Sequence, residues 1–171
     1  KYGITRGVKL RYWDDEVLFE GFANSSRSEC NSFDHVRLVI RPDKLNGSDN
    51  AGQYLTSLTK KLRFFHSMKV RTILDLHPSS KIWSSMSKSS NMVYEITVSS
   101  WKKIYDACKD FDKDFTYFEI LNEPRLRPAE WNICLQNIIN ELRSYGVDNL
   151  LVLQPHHNWF SEIGNLSVPK S

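Results

Sequence analysis

Short apolar runs alternate with longer stripes of helical spacing along almost the whole chain. The runs are rich in β-branched residues, as the strands of a buried parallel sheet are. They lie at residues 5–10, 34–40, 72–78, 118–124 and 150–154. Strands that alternate with helices predict parallel pairing with right-handed crossovers, and therefore an α/β fold.

Three amphipathic stripes between these runs predict helices. In the first stripe, apolar residues recur at i, i+3, i+7 and i+10, the spacing of one helix face packed on a sheet: Leu55, Leu58, Leu62 and Phe65. The second stripe runs from Trp101 to Phe111 and the third from Trp131 to Leu142. Pro128 suits the first turn of the third helix and Gly146 suits its end.

The serine-rich piece 79–90 interrupts this alternation after the third run. We predict a long loop at the mouth of the sheet, and not a linker between domains, because strand–helix units continue on both sides. The chain is therefore predicted to form a single domain over residues 1–171.

The fourth run ends in polar residues that could take part in catalysis. Residues 118–124 read Phe-Glu-Ile-Leu-Asn-Glu-Pro, so the run brings Asn122 and Glu123 to its C-terminal end, where Pro124 is predicted to stop the strand. Catalytic groups of β/α barrels lie at the C-terminal ends of strands. An isolated Asn-Glu-Pro turn is a weak signal, and the strand context makes Glu123 a candidate.

The other runs carry further motifs. Residues 5–10 contain Arg-Gly-Val-Lys-Leu, residues 34–40 contain His-Val-Arg, and residues 72–78 contain Leu-Asp-Leu-His. With the Asn-Glu-Pro segment and a Trp after the fifth run, this set closely resembles the cellulase family, glycoside hydrolase family 5, over nearly the whole chain and in the family's order. The resemblance implies a (β/α)8 TIM barrel that hydrolyses β-linked polysaccharides with retention and without a cofactor.

The length limits how much of such a barrel we expect. A complete barrel typically needs about 250 residues, and this chain has 171. Residues 159–169 resemble the family's connection from the fifth strand to the sixth, so we expect a partial barrel truncated after the fifth strand. The family's His-Tyr pair, nucleophilic Glu and sugar-stacking Trp on later strands would then be absent.

The resemblance assigns roles at the strand ends. Glu123 matches the acid/base carboxyl group, and Asn122 matches the residue that hydrogen-bonds the sugar 2-hydroxyl, a contact that strengthens in the transition state. Arg37 and His77 match groups that orient the nucleophile and line the sugar subsite. On the residues alone, the alternatives are that Arg37 pairs with an aspartate, Asp34 or Asp75, and that His77 only caps a strand.

Glu119 requires a separate interpretation. Strand alternation predicts that it points into the barrel, where an unpaired charge is costly. We therefore expect a structural ion pair with Arg37 or Arg71 and no catalytic role.

Aromatic residues that follow strands are candidates for stacking against sugar rings. Trp159 has a counterpart in the family, Trp13 and Trp83 are weaker candidates, and His157 lies on the loop of Trp159. Such tryptophans are also ordinary loop anchors. A metal site made of His77 and the pair 156–157 is conceivable, but we predict none because a histidine pair on a loop is usually solvated.

Composition excludes several classes of protein. Hydrophobic residues at 40% and charged residues at 25% are typical of a globular chain, and no apolar run approaches the ~20 residues of a membrane span. The net charge is +3, but Lys and Arg are scattered, so we predict no nucleic-acid binding. Cys30, Cys108 and Cys134 have no metal-binding spacing, and we expect the last two to be core residues.

The first residue is Lys1, which suggests a processed product. The resemblance implies an extracellular, secreted protein. Three Asn-x-Ser sequons add little, because chance alone gives about two in a chain of this composition.

Taken together, the sequence predicts a retaining β-glycanase that carries the acid/base Glu123 but lacks the nucleophile. The alternative is a non-catalytic half-barrel that binds a carbohydrate or takes part in an assembly. The expected partners are a β-linked polysaccharide or oligosaccharide, and a complementary C-terminal half or a second copy docked at the open edges of the first and fifth strands. We also expect the inner face of the sheet to expose an apolar patch.

Overall fold

The computed structural model describes residues 7–10, 34–46, 49–156 and 160–166. It contains one parallel sheet whose strands follow chain order from one edge to the other. The strands are β1 (Gly7–Leu10), β2 (His35–Ile40), β3 (Arg71–Leu76), β4 (Thr116–Glu119) and β5 (Leu151–Val152). This order is that of a β/α barrel wall, and it confirms the predicted α/β fold.

Helices connect the strands from β2 to β5. They are α1 (Pro42–Leu45), α2 (Ala51–Ser67), α3 (Ser80–Met86), α4 (Ser90–Cys108) and α5 (Pro128–Tyr145), and a 3-10 helix spans Phe160–Asn165. The predicted stripes are the buried faces of α2, α4 and α5. Pro128 begins α5, and Gly146 ends it with φ of +105°, a left-handed conformation that suits glycine. Among the described helices, none is long and apolar enough to cross a membrane.

The prediction of a loop over residues 79–90 is wrong, because most of this segment is the helix α3. The serines that suggested a loop cap helices instead. Ser79 accepts a hydrogen bond from the Ile82 N–H at the start of α3, and Ser89 accepts one from the Met92 N–H at the start of α4. Trp83 and Met86 bury the inner face of α3.

The two faces of the sheet differ, because side chains alternate along each strand. The face toward the helices is completely buried, and its members on β2, β3 and β4 are Val36, Leu38, Ile40, Thr72, Leu74, Leu76, Thr116 and Phe118. Burying each large apolar side chain stabilises the fold by about 1.5–3 kcal/mol. Cys108 and Cys134 are also buried, which confirms that they are core residues.

The inner face is not the apolar patch we expected. Arg37, Asp75 and Glu119 occupy it beside the buried Val39 and the half-buried Ile73, Tyr117 and Val152. The large apolar side chains exposed in the described residues lie elsewhere: Ile133, Tyr145, Leu150 and Ile163. Charged side chains therefore replace much of the apolar surface that an open barrel wall would present.

Two strands are shorter than predicted. β4 ends at Glu119, so it is not Pro124 that stops the strand. β5 has two residues, both half-buried, and the adjoining Leu150 is 55% exposed. The apolar run 150–154 was expected to form an open edge of the sheet, and β5 pairs only with β4 among the described strands.

Candidate active site

Arg37 joins three strands below the mouth of the sheet. Its Nε and Nη2 atoms donate to the two carboxylate oxygens of Glu119 at 2.5 and 2.6 Å, a bidentate pair. Its Nη1 atom lies 2.9 Å from Asp75 Oδ2. Asp75 and Glu119 face each other across the β3–β4 register. The predicted ion pair of Glu119 is therefore confirmed, and its partner is Arg37, not Arg71.

The cluster around Arg37 is strongly buried. Asp75 is 0% exposed and Glu119 is 2% exposed. Burial lowers the pKa of Arg37, but its hydrogen bond to the Glu119 carboxylate and the charges of Asp75, Glu119 and Glu123 outweigh burial, so the pKa is raised. One guanidinium therefore contacts two buried carboxyl groups at the base of the site.

Asn122 follows β4 and is fixed by its neighbours. Its N–H donates to the Leu76 carbonyl at 2.9 Å, so backbone pairing with β3 continues past the end of the strand. Its Oδ1 atom accepts from Arg37 at 2.9 Å, and its Nδ2 atom lies 3.4 Å from His77 Nε2. These contacts assign the side-chain amide orientation.

His77 is held by Asp75. Its Nδ1 atom lies 3.0 Å from Asp75 Oδ2, so the ring donates to the carboxylate and its Nε2 atom faces Asn122. The structure therefore brings Arg37, His77 and Asn122 together. The structural alternatives also apply in part, because Arg37 pairs with Asp75 and His77 is anchored just past the end of β3.

Glu123 lies at the mouth, and its side chain is exposed. Its φ of +47° is a left-handed conformation, which is uncommon for a residue other than glycine and costs of order 1–3 kcal/mol. Its N–H donates to Gln154 Oε1 at 2.8 Å. The backbone turns at Glu123, so the strand alternation that places Glu119 on the inner face does not extend to Glu123.

Gln154 connects Glu123 to the rest of the site. Its Nε2 atom donates to Glu119 Oε1, and its backbone carbonyl accepts from Trp131 Nε1 at 2.9 Å. Trp131 is 1% exposed on α5. Sequence reasoning missed Gln154, although a polar residue that ends the run Leu-Leu-Val-Leu-Gln was the available signal.

A cavity of about 430 Å³ lies beside Glu123 at the C-terminal ends of β2, β3 and β4. Its lining residues are largely polar: Arg41, His77, Pro78, Ser79, Ser80, Lys81, Trp83, Asn122, Glu123 and Arg125. A second depression of about 500 Å³ lies on the outer surface between α4 and α5. We assign the site to the first, because the interacting side chains converge there.

The remaining candidates fall into two groups. Trp83 lies in the cavity wall, but it is only 2% exposed, and Arg125 lies over its ring at 5.6 Å from the centroid. It is therefore an anchor of α3, and its ring face is covered. Trp13, His157 and Trp159 lie outside the described residues. Within the described parts of the chain, no three His, Cys, Asp or Glu side chains are grouped as metal ligands.

Comparison with known families agrees with this geometry. The family model "Cellulase (glycosyl hydrolase family 5)" matches residues 19–169, most of the chain. This chain belongs to the cellulase family. Comparison with curated proteins gives no match.

Solved structures of the cellulase family share the fold. Thermotoga maritima Cel5A, studied in complex with cellobiose, superposes with a TM-score of 0.73 at 20% identity, covering 98% of this chain and 57% of that one. A Clostridium cellulovorans broad-specificity endoglucanase gives 0.76 at 15% identity, covering 98% and 57%. The Thermomonospora fusca β-mannanase, in complex with mannohexaose, gives 0.67 at 18% identity, covering 95% and 52%.

These likenesses establish the barrel fold for this chain. The chain spans little more than half the length of each of these relatives. The described sheet therefore corresponds to part of a cellulase-family barrel.

Proposed function

We propose that this chain supplies the acid/base side of a retaining β-glycanase cleft, with Glu123 as the proton donor. The observation that carries the proposal is the arrangement after β4. Asn122 is held between Arg37 and His77, and the next residue, Glu123, is exposed at the edge of the cavity.

Retaining hydrolysis needs two carboxyl groups about 5–5.5 Å apart. One protonates the leaving oxygen and later takes a proton from water, while the other attacks the anomeric carbon. Glu123 suits the first role. Asn122 would hydrogen-bond the sugar 2-hydroxyl, and Arg37 would orient the nucleophile while His77 lines the subsite.

The described residues offer no evident nucleophile. Glu123 is the one carboxylate in the cavity wall that the structure describes, and Asp75 and Glu119 are buried against Arg37. Glu162 lies in the 3-10 helix Phe160–Asn165 after β5. We therefore propose that the attacking carboxylate is missing from the 171-residue chain.

We propose a β-1,4-linked glucan or a related plant polysaccharide as the substrate, and an extracellular location. The cellobiose and mannohexaose complexes of the relatives support a β-linked sugar. Immunodetection of the chain in the medium and the cell fraction tests the location, and retention inside cells would contradict it.

Oligosaccharide binding tests the site. Cellohexaose titrated into the labelled chain should shift the NMR signals of His77, Asn122 and Glu123. Asn122→Ala should weaken binding about fivefold, the effect of losing a hydrogen bond of about 1 kcal/mol. Asn137→Ala, on the outer helix α5, is the matched control and should have no effect. No binding at millimolar sugar, or shifts confined to other surfaces, would contradict the proposal.

Hydrolysis of an aryl β-cellobioside tests the missing nucleophile. We expect little or no turnover by the pure chain, because the covalent step has no attacking group. Turnover that is lost in Glu123→Gln and also in Glu162→Gln would show that Glu162 substitutes for the nucleophile.

The edge of the sheet favours a second candidate, a non-catalytic half-barrel that docks a partner. β5 is half-buried, Leu150 is 55% exposed, and β1 and β5 each have one neighbour among the described strands. Such edges pair readily with other chains. Light scattering of the 171-residue chain should show self-association, or association with a separately made C-terminal half. A monomer that does not change with concentration and unfolds cooperatively would contradict this.

A further inference from the structure

Three cationic side chains line the cavity beside Glu123. Arg41 follows the end of β2, Lys81 lies in α3, and Arg125 follows Glu123 by two residues. They come from three separate segments that the fold brings to one mouth. The pattern could not be read from the sequence, where Lys and Arg are scattered.

These cations differ from several others on the surface in having no acidic partner among the described residues. Lys102, Lys113 and Arg127 each form an ion pair with a neighbouring carboxylate. Within the described residues, no carboxylate forms an ion pair with any of the three cations in the cavity. Glu123 is the one acidic residue among the described residues of the wall. Three positive charges and one negative charge therefore give the wall a formal net charge of +2.

A neutral sugar does not explain this lining. Neutral pyranose rings are bound largely on flat aromatic faces, with polar groups that set orientation. Here the Trp83 ring is buried beneath Arg125, whose guanidinium lies 5.6 Å from the ring centroid. The cavity therefore presents a guanidinium where a stacking ring would otherwise be available. Guanidinium groups match planar carboxylates with paired hydrogen bonds.

We infer that the cavity lined by Arg41, Lys81 and Arg125 is a subsite for a carboxylate-bearing sugar, and that the glycan bound at Glu123 is an acidic β-linked polymer. This inference rests on the proposed glycanase function and selects an acidic related polysaccharide over a neutral glucan as its substrate. The volume of about 430 Å³ falls within the range of small-ligand sites.

Two oligosaccharides of equal length test the inference. The affinity of the chain is measured by calorimetry for cellohexaose and for the β-1,4-linked hexamer of glucuronate, which differs in carrying carboxylates. In 50 mM NaCl we expect the glucuronate hexamer to bind about tenfold more tightly. In 500 mM NaCl the preference should shrink to about twofold, because salt screens exposed charges.

Single variants locate the preference. Arg41→Gln, Lys81→Gln and Arg125→Gln should each reduce the ratio of the two dissociation constants about threefold, the effect of one exposed charge pair. Lys109→Gln is the matched control, since Lys109 is exposed at the far end of α4 and its loss should leave the ratio unchanged. The ratio is measured on one preparation, so partial unfolding affects both ligands equally.

The outcomes separate the inference from the function on which it rests. Equal affinity for the two hexamers would overturn the acidic subsite and leave the glycanase proposal standing. A preference that survives all three substitutions would place the carboxylate elsewhere and also overturn the inference. If neither hexamer binds, both proposals fail.

Discussion

Replacing Arg37 by methionine removes the guanidinium that joins β2 to β3 and β4. Methionine keeps an apolar stem of similar length, so the change acts mainly on charge and hydrogen bonding. The variant loses contacts of 2.5 and 2.6 Å to Glu119, 2.9 Å to Asp75 and 2.9 Å to Asn122. It leaves the two buried carboxylates without their guanidinium.

The expected cost follows from burial. Removing one partner of a buried ion pair typically costs about 3–5 kcal/mol, because the remaining charge cannot return to water. The side chains of Arg37 and Glu119 are 18% and 3% exposed. Since whole domains are stable by only about 5–15 kcal/mol, the loss should be a large part of the total. With a urea dependence of about 2 kcal/mol per molar, the unfolding midpoint should fall by about 2 M.

Urea unfolding followed by circular dichroism at low micromolar protein is the assay. Lys113→Gln is the matched control, because the Lys113–Asp148 pair has the same 2.5 Å separation but side chains that are 58% and 61% exposed. Water solvates such a pair well, so its loss should not move the midpoint measurably. The comparison holds the distance constant and changes the burial.

A double variant completes the test. Arg37→Met with Glu119→Gln removes one of the two charges that the single change strands, so it should recover at least about 1 kcal/mol relative to additivity. The reasoning is refuted if Arg37→Met costs no more than Lys113→Gln, or if the two changes simply add.

Three further predictions concern the half-buried His66, the two buried cysteines and the half-buried Gln154. Burial lowers the pKa of His66, so the unfolded chain binds the proton more readily, and the free energy of unfolding should fall as pH drops below about 6.5. His66→Gln should flatten this pH dependence between pH 7.5 and 5.5, and an unchanged dependence would contradict the prediction. Burial raises the pKa of Cys108 to about 12 and that of Cys134 to about 11. Iodoacetamide at pH 8 should therefore alkylate both thiols far more slowly in the folded chain than in urea, and equal rates measured by mass spectrometry would refute the prediction. Gln154→Leu removes the acceptor of the Glu123 N–H, so hydrogen exchange at that amide should accelerate about tenfold, and unchanged exchange would show that the turn holds itself.

Periodicity predicted the elements that pack on one face. The stripes of α2, α4 and α5 were predictable because burial against the sheet selects apolar residues at helical spacing. The prediction of a loop over the serine-rich segment 79–90 was wrong because this segment has no such stripe. Helix α3 is short, so its buried residues are few, and serine favours both loops and N-caps.

The site was predictable as a set of residues but not as a network. The strand motifs indicated Arg37, His77, Asn122 and Glu123 through the family resemblance, and the structure brings the first three into contact. Gln154 was missed because its role depends on the register between β4 and β5 and on a left-handed turn at Glu123. Neither feature has a local signal in the sequence.

The hydrogen bond from Trp131 to the Gln154 carbonyl has a practical consequence for protein engineering. Because the active site of a barrel lies at the C-terminal ends of its strands, the outer helices are a natural place for stabilising substitutions. Here one buried shell residue reaches the proposed proton donor through a single glutamine, whose side chain bonds the Glu123 backbone. A library that repacks α5 would thus disturb the position of Glu123 without changing any residue of the cleft. If Trp131 is kept fixed, such a library can be selected for stability without also changing activity.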